Sequence, residues 1–189
     1  MTKTFTFLLL FVSFSTFAQV KMEWKKDVVL SKSDFKGQAP QNSIAGVQRH
    51  YLAANLDFSY AMSNYEFMLT KNFNKFVTAS YNPATSWIEE GNKTDLILKM
   101  AQLDFDLLEL YARKYRQRLY ETKNALSANN FFQQAHDELN AEMIKRQADI
   151  QALVTDSESN LEEQHDLIKK EVEVLADFCK ECKPAKKKK

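Results

Sequence analysis

The chain has 189 residues and a mass of 22.0 kDa, a length for one domain rather than two. Its 26 Lys and Arg nearly balance 25 Asp and Glu, so no charge excess points to nucleic acid. Only three Gly and three Pro are present, which excludes a collagen-like chain, a glycine-rich linker protein and most glycine-loop nucleotide binders.

Residues 1–18 read MTKTFTFLLLFVSFSTFA. Lys3 gives a small positive start, Phe5 to Phe14 is mostly apolar, and Thr16-Phe17-Ala18 offers small residues where a signal peptidase cleaves. The expectation is a cleaved secretory signal, with the mature chain starting near Gln19. The alternative is an N-terminal membrane anchor, but the run is shorter than the roughly 20 residues a spanning helix needs. Export to the periplasm or the medium follows from this reading. No later segment is apolar enough to span a membrane. Removing residues 1–18 leaves 25 basic and 25 acidic residues, and five of those Lys lie in the terminal KPAKKKK. The expected organisation is a signal at 1–18, one domain at 19–182 and a disordered basic tail at 183–189.

From Trp24 to Trp87 the pattern is mainly of period two, which suits strands. Leu52, Ala54, Leu56, Phe58 and Tyr60 alternate with Asn55, Asp57 and Ser59. Tyr65, Phe67 and Leu69 repeat the alternation, as do Val77, Ala79 and Tyr81, with a turn expected between Lys71 and Asn74. Asp34 to Pro40 reads as a loop. An antiparallel meander is the simplest arrangement.

The period changes after Gly91. Thr94 can cap a helix that runs without Gly or Pro from Asp95 to about Lys123, roughly 43 Å at 1.5 Å per residue. Leu96, Met100, Leu103, Leu107 and Leu110 form one apolar stripe, and Ile97, Ala101, Leu108, Ala112, Tyr115 and Leu119 widen it. Such a helix must be central. A second helix is expected from Asn130 to Val154, with Phe132, Leu139, Met143, Ile150 and Val154 inward. Asp156 to Asn160 is a polar break. The last helix is expected from Leu161 to Phe178, with a stripe of Leu161, His165, Ile168, Val172, Leu175 and Cys179. The fold class is therefore α+β, with an N-terminal antiparallel sheet on a long central helix and two further helices.

Ser33-Asp34-Phe35-Lys36-Gly37, then Thr85-Ser86-Trp87, then Glu109-Leu110-Tyr111-Ala112-Arg113 resemble, in that order, landmarks of a bacterial family catalogued as domain of unknown function 922. The resemblance spans roughly residues 23 to 178. It implies a secreted or periplasmic protein on a zincin-like, zinc-peptidase scaffold. That family typically carries HEQxHFD at the start of its long helix. Gln102, Phe105 and Asp106 fix the register here, so Met100 stands at the first His, Ala101 at the Glu and Asp104 at the second His.

Two His four apart on a helix differ by about 40° in direction and can share one Zn²⁺, with the Glu as general base toward a metal-bound water. Met100 offers only a thioether, Ala101 accepts no proton, and one carboxylate at Asp104 does not make a site. A second family stretch, YDxETxHG-like, faintly resembles Thr155 to Asn160, again without its His. No catalytic role carries over, and no metal or other cofactor is expected.

The residues themselves support plainer roles. Met100 and Ala101 are expected to fill core space, and Asp104 to take a Lys, Arg or backbone donor. Asp106 and Glu109 are expected to pair with Arg113 or Arg116. His50, His136 and His165 have no ligand spacing to one another, and His165 suits a packed core position. Cys179 and Cys182 form a CxxC at a helix C-terminus beside Lys180 and Lys183. That is the wrong end for a low-pKa redox thiol, so the pair is expected as a local disulfide or as a link to another chain. The Lys186–Lys189 tail suits either an anionic surface or a solubilising end, and Asn92-Lys93-Thr94 is a sequon that the bacterial resemblance makes uninformative. Three functions stay open: a non-catalytic envelope protein that acts by binding, a divergent metal-dependent hydrolase rebuilt from Asp104, other carboxylates and a distant His, or an assembly module using the tail and the CxxC.

Overall fold

The computed structural model describes residues 21–41, 48–59, 61–124, 126–127, 130–154 and 157–184. The expected signal and Lys186–Lys189 lie outside them. In chain order the elements are β1 (Met22–Glu23), β2 (His50–Tyr51), β3 (Ala54–Phe58), α1 (Asn64–Leu69), β4 (Val77–Tyr81), β5 (Trp87–Ile88), α2 (Thr94–Thr122), α3 (Phe131–Val154) and α4 (Glu158–Val174). A 3₁₀ turn, Ala176–Phe178, follows α4.

The fold is mixed α+β, organised around α2. This helix packs against α3, α4, β3 and β4, and most of its middle is buried, as its two apolar stripes require. The expected single meander is instead two small antiparallel sheets, one ordered β1-β4-β3 and one pairing β2 with β5. β4 is central and its Val77, Ala79, Ser80 and Tyr81 are buried. In the larger sheet Ala54 faces Tyr81 and Phe58 faces Val77. On the other side Met22 faces Tyr81 and Glu23 faces Ser80. β1 is only two residues long, and Lys180 reaches its Glu23 at 2.6 Å.

The segment expected as a third alternating strand, Tyr65 to Leu69, is the helix α1. Ser63 decides this: its Oγ accepts from the Glu66 amide at 3.3 Å, and its own N–H donates to Glu66 Oε2 at 2.8 Å. This reciprocal capping box favours a helix start over extended backbone. The break before the last helix is also shorter than expected, because the Ser157 side chain caps the Asn160 amide and α4 starts at Glu158.

The sheet joins the helices through aromatic rings. Phe132 of α3 stacks on Phe58 of β3 at 5.0 Å and meets Phe67 and Phe73 at 5.2 and 5.4 Å. The Ser33–Gly37 and Thr85–Trp87 segments, separate in sequence, meet in space. Gly37 N–H donates to Ser86 O at 2.8 Å, and a Cβ on Gly37 would sit 2.8 Å from that same oxygen. Only glycine fits so close a backbone approach.

Candidate functional site

The first half of α2 presents two carboxylates, Asp104 and Asp106. Two residues apart on a helix means roughly 200° of rotation, so they serve different neighbours. Asp106 is buried. Its Oδ1 accepts from Trp24 Nε1 at 2.7 Å and Gln102 Nε2 at 3.3 Å, and its Oδ2 pairs with His165 Nε2 at 2.6 Å. Gln102 Oε1 in turn accepts from Leu30 N–H at 2.8 Å. This cluster fastens the N-terminal segment and α4 onto α2. The expected Arg partner of Asp106 is thus replaced by Trp24 and His165. Glu109 does take both arginines.

Asp104 points the other way. Its expected Lys, Arg or backbone partner is instead an imidazole: Asp104 Oδ2 pairs with His50 Nε2 at 2.8 Å. The two side chains are 9% and 7% exposed. A buried carboxylate needs such a partner. The pair fastens β2, and through it β5, to α2.

His50 and Asp104 line a cavity of about 450 Å³, within the size range of small-molecule and peptide-side-chain pockets. β3 forms one wall with Ala54, Asn55 and Leu56, α2 forms the floor with Asp104, Leu107 and Leu108, and α3 supplies the facing wall with His136, Asn140 and Gln147. β3 is the outer strand here. Ala53 O and Ser59 N–H bond across to Asn82 and Phe76. By the alternation of an antiparallel ladder, the main-chain groups of Ala54, Leu56 and Phe58 point away from β4 and toward α3.

One of those groups is already met from α3. His136 Nε2 contacts Leu56 O at 3.3 Å, and its Nδ1 contacts Asp137 Oδ1 at 3.2 Å. The ring also stands edge-on to Tyr115 at 5.9 Å. The His136 hydrogen bond, seconded by Gln133, holds the Asp137 carboxyl below its usual range.

The three residues expected at motif positions divide. Asp104 lies in the cavity floor, but Ala101 is sealed in the core and Met100 packs against that core from its edge. A thioether, a methyl and a carboxylate already held by His50 do not fit a hydrolytic Zn²⁺. Among the described residues no group of three His, Cys, Asp or Glu has the geometry to hold a metal ion. Cys179 and Cys182 are joined in a disulfide away from this cavity. Asn72 and Asn74 Nδ2 donate to Cys182 O at 3.2 and 3.1 Å, tying that loop to the segment before β4. No helix among the described residues is long and apolar enough to cross a membrane.

The juxtaposition of His50, Asp104 and His136 has no signature in the sequence, because the three stand on β2, α2 and α3 with no periodic relation. The outward edge of β3 could have been anticipated from its alternation, but not that His136 of α3 would meet it. Comparison with known proteins adds no kinship: no family model, no curated protein and no solved structure matches this chain.

Proposed function

We propose that this chain is an exported binding protein without peptidase chemistry. Its frame is that of the bacterial family it resembles, zincin-like and zinc-free, and its cavity beside β3 is the site at which it binds an envelope partner. The observation that carries the proposal is the fate of Asp104. The one motif position that faces the cavity beside β3 has its carboxylate occupied by His50, while the cavity itself, about 450 Å³, is of a size that takes a small ligand.

The test is elemental analysis of the purified chain together with a peptide-hydrolysis assay, with and without chelator. Substoichiometric zinc and no chelator-sensitive cleavage are expected. Stoichiometric zinc with chelator-sensitive cleavage overturns the proposal. That outcome would favour the second reading, a rebuilt metal-dependent hydrolase, whose supporting observation is that Asp104, His50 and His136 line one cavity.

A further inference from the structure

The helix α1 carries its apolar residues on both sides. Phe67 faces inward, its ring 5.2 Å from Phe132 and 5.8 Å from Phe73, and Lys123 Nζ donates to Phe67 O at 2.7 Å, which fixes how the helix sits. Tyr65, Met68 and Leu69 fall within about 100° of one another on the opposite side, and they are 71%, 52% and 64% exposed. Leu126, almost fully exposed, is held near Lys123 by a turn in which its N–H donates to Asn124 Oδ1 at 2.8 Å. Three large apolar side chains together on one exposed face mark an interaction surface rather than ordinary scatter. We propose that this face of α1 docks on an anionic phospholipid membrane, with Tyr65, Met68 and Leu69 entering the headgroup layer and the surrounding lysines lying on the lipid phosphates. The surface is separate from the cavity beside β3 and does not depend on what that cavity binds.

Charge fixes the occupant. Lys71 and Lys75, both exposed, follow α1 directly, and Lys71 adds to the burial that lowers the pKa of the Lys123 ammonium, so the two cations are near neighbours. The C-terminal segment is brought to the same place. Asn72 and Asn74 hold Cys182 O, and the Cys179–Cys182 disulfide closes the loop that carries it. Exposed Lys183 therefore starts out beside the end of α1, and the sequence runs on into Lys186–Lys189. Residues 64–75 and 176–189 thus bring Lys71, Lys75, Lys180, Lys183 and Lys186–Lys189 against Glu66, Asp177 and Glu181. Of these acids Glu66 is turned back to cap Ser63, and Glu181 lines a cavity with Glu23 and Trp24. Apolar side chains with an interfacial tyrosine, flanked by clustered lysines, match the layered chemistry of an anionic bilayer surface. A second copy of the chain fits this face poorly, because a two-fold contact would set one ring of lysines against another.

The test uses the chain from Gln19 on, which holds every described residue; leaving out the apolar residues 1–18 removes a second route to lipid. Co-sedimentation is measured with vesicles of phosphatidylcholine alone and of phosphatidylcholine mixed with phosphatidylglycerol. Binding is expected to the mixed vesicles only and to weaken as salt is raised. Nitroxide-labelled lipid should broaden the amide resonances of residues 64–71 and spare those of β3. The double variant Met68→Ser, Leu69→Ser should bind at least about tenfold more weakly, and Lys71→Gln with Lys75→Gln about tenfold more weakly at low salt. All four side chains are exposed, so circular dichroism should show both variants folded. No binding to mixed vesicles overturns the proposal, as does equal binding to phosphatidylcholine alone. Unchanged binding of the Met68→Ser, Leu69→Ser variant also overturns it, because the lysines would then act without α1. A dimer in sedimentation velocity that this variant dissolves would assign the face to a second copy instead.

Discussion

Glu109→Ala is the most demanding test of how α2 is held. Glu109, Arg113 and Arg116 are 3%, 7% and 1% exposed, so three charges sit inside the domain. Glu109 Oε1 accepts from Arg113 Nε and from Arg116 Nη1, each at 2.9 Å. Arg116 also donates to Val77 O at 2.8 Å and Phe178 O at 3.1 Å, and Arg113 donates to Val172 O at 2.8 Å. The network thereby joins α2 to β4, to the end of α4 and to the turn after it. Deleting the carboxylate leaves two buried guanidinium groups with carbonyl partners but no counter-charge. Removing one member of a buried ionic cluster costs about 3–5 kcal/mol. For a chain of this length that corresponds to a fall in Tm of roughly 6–20 °C. Glu109→Gln keeps one acceptor oxygen and should fall at the low end. Far-UV circular dichroism on heating and in urea, at low and high salt, measures this. High salt should not rescue either variant, because the charges lie out of reach of screening ions. A loss below about 1 kcal/mol for Glu109→Ala would refute the reasoning, since it would mean that water already solvates the arginines.

Two further outcomes are expected. Burial pushes the phenols of Tyr81 and Tyr111 up to about 12, against an unfolded value near 10. Between about pH 10 and 12 the folded state therefore holds more protons than the unfolded one, and stability falls as pH rises through that window, on the order of 2–3 kcal/mol per group as an upper bound. Ultraviolet titration should show these two phenols ionising only as the fold is lost; all seven tyrosines ionising near pH 10 with the circular dichroism unchanged would contradict this. Gly37→Ala drives a Cβ to 2.8 Å from Ser86 O and 3.0 Å from the Thr85 carbonyl carbon. Both contacts are backbone, so a loss of about 1–3 kcal/mol is expected on urea unfolding, and an unchanged midpoint would show that the two segments do not touch.

The three long helices were legible in the sequence to within a few residues at their ends. α2 was marked by 29 residues without Gly or Pro and by two apolar stripes. Its start differs in detail: Thr94 was expected as the cap, but its hydroxyl turns back to Gly91 O at 2.8 Å, and Lys93 occupies the cap position. α1 was misread because three aromatic and aliphatic residues at period two outweighed the Ser63–Glu66 capping box four residues long, a signal that was present and local. The sheet was legible in β3 and β4 and not in its partners, because a two-residue strand such as β2 carries no periodicity. Of the candidate site, Met100, Ala101 and Asp104 could be read as a set unsuited to hold a zinc ion. What could not be read was that Asp104 would meet His50, 54 residues away, while Asp106 met His165. Those pairings depend on the rotation of α2 within the domain, which the packing of every other element sets.

The two margins of the larger sheet are not equivalent. On the β1 side the strand ends after two residues and Lys180 closes over Glu23, whereas β3 runs for five and borders the cavity of His50 and Asp104. Each flank is thus covered by a different device of the same chain, the short one by a surface ion pair and the long one by the imidazole that α3 lays on Leu56 O.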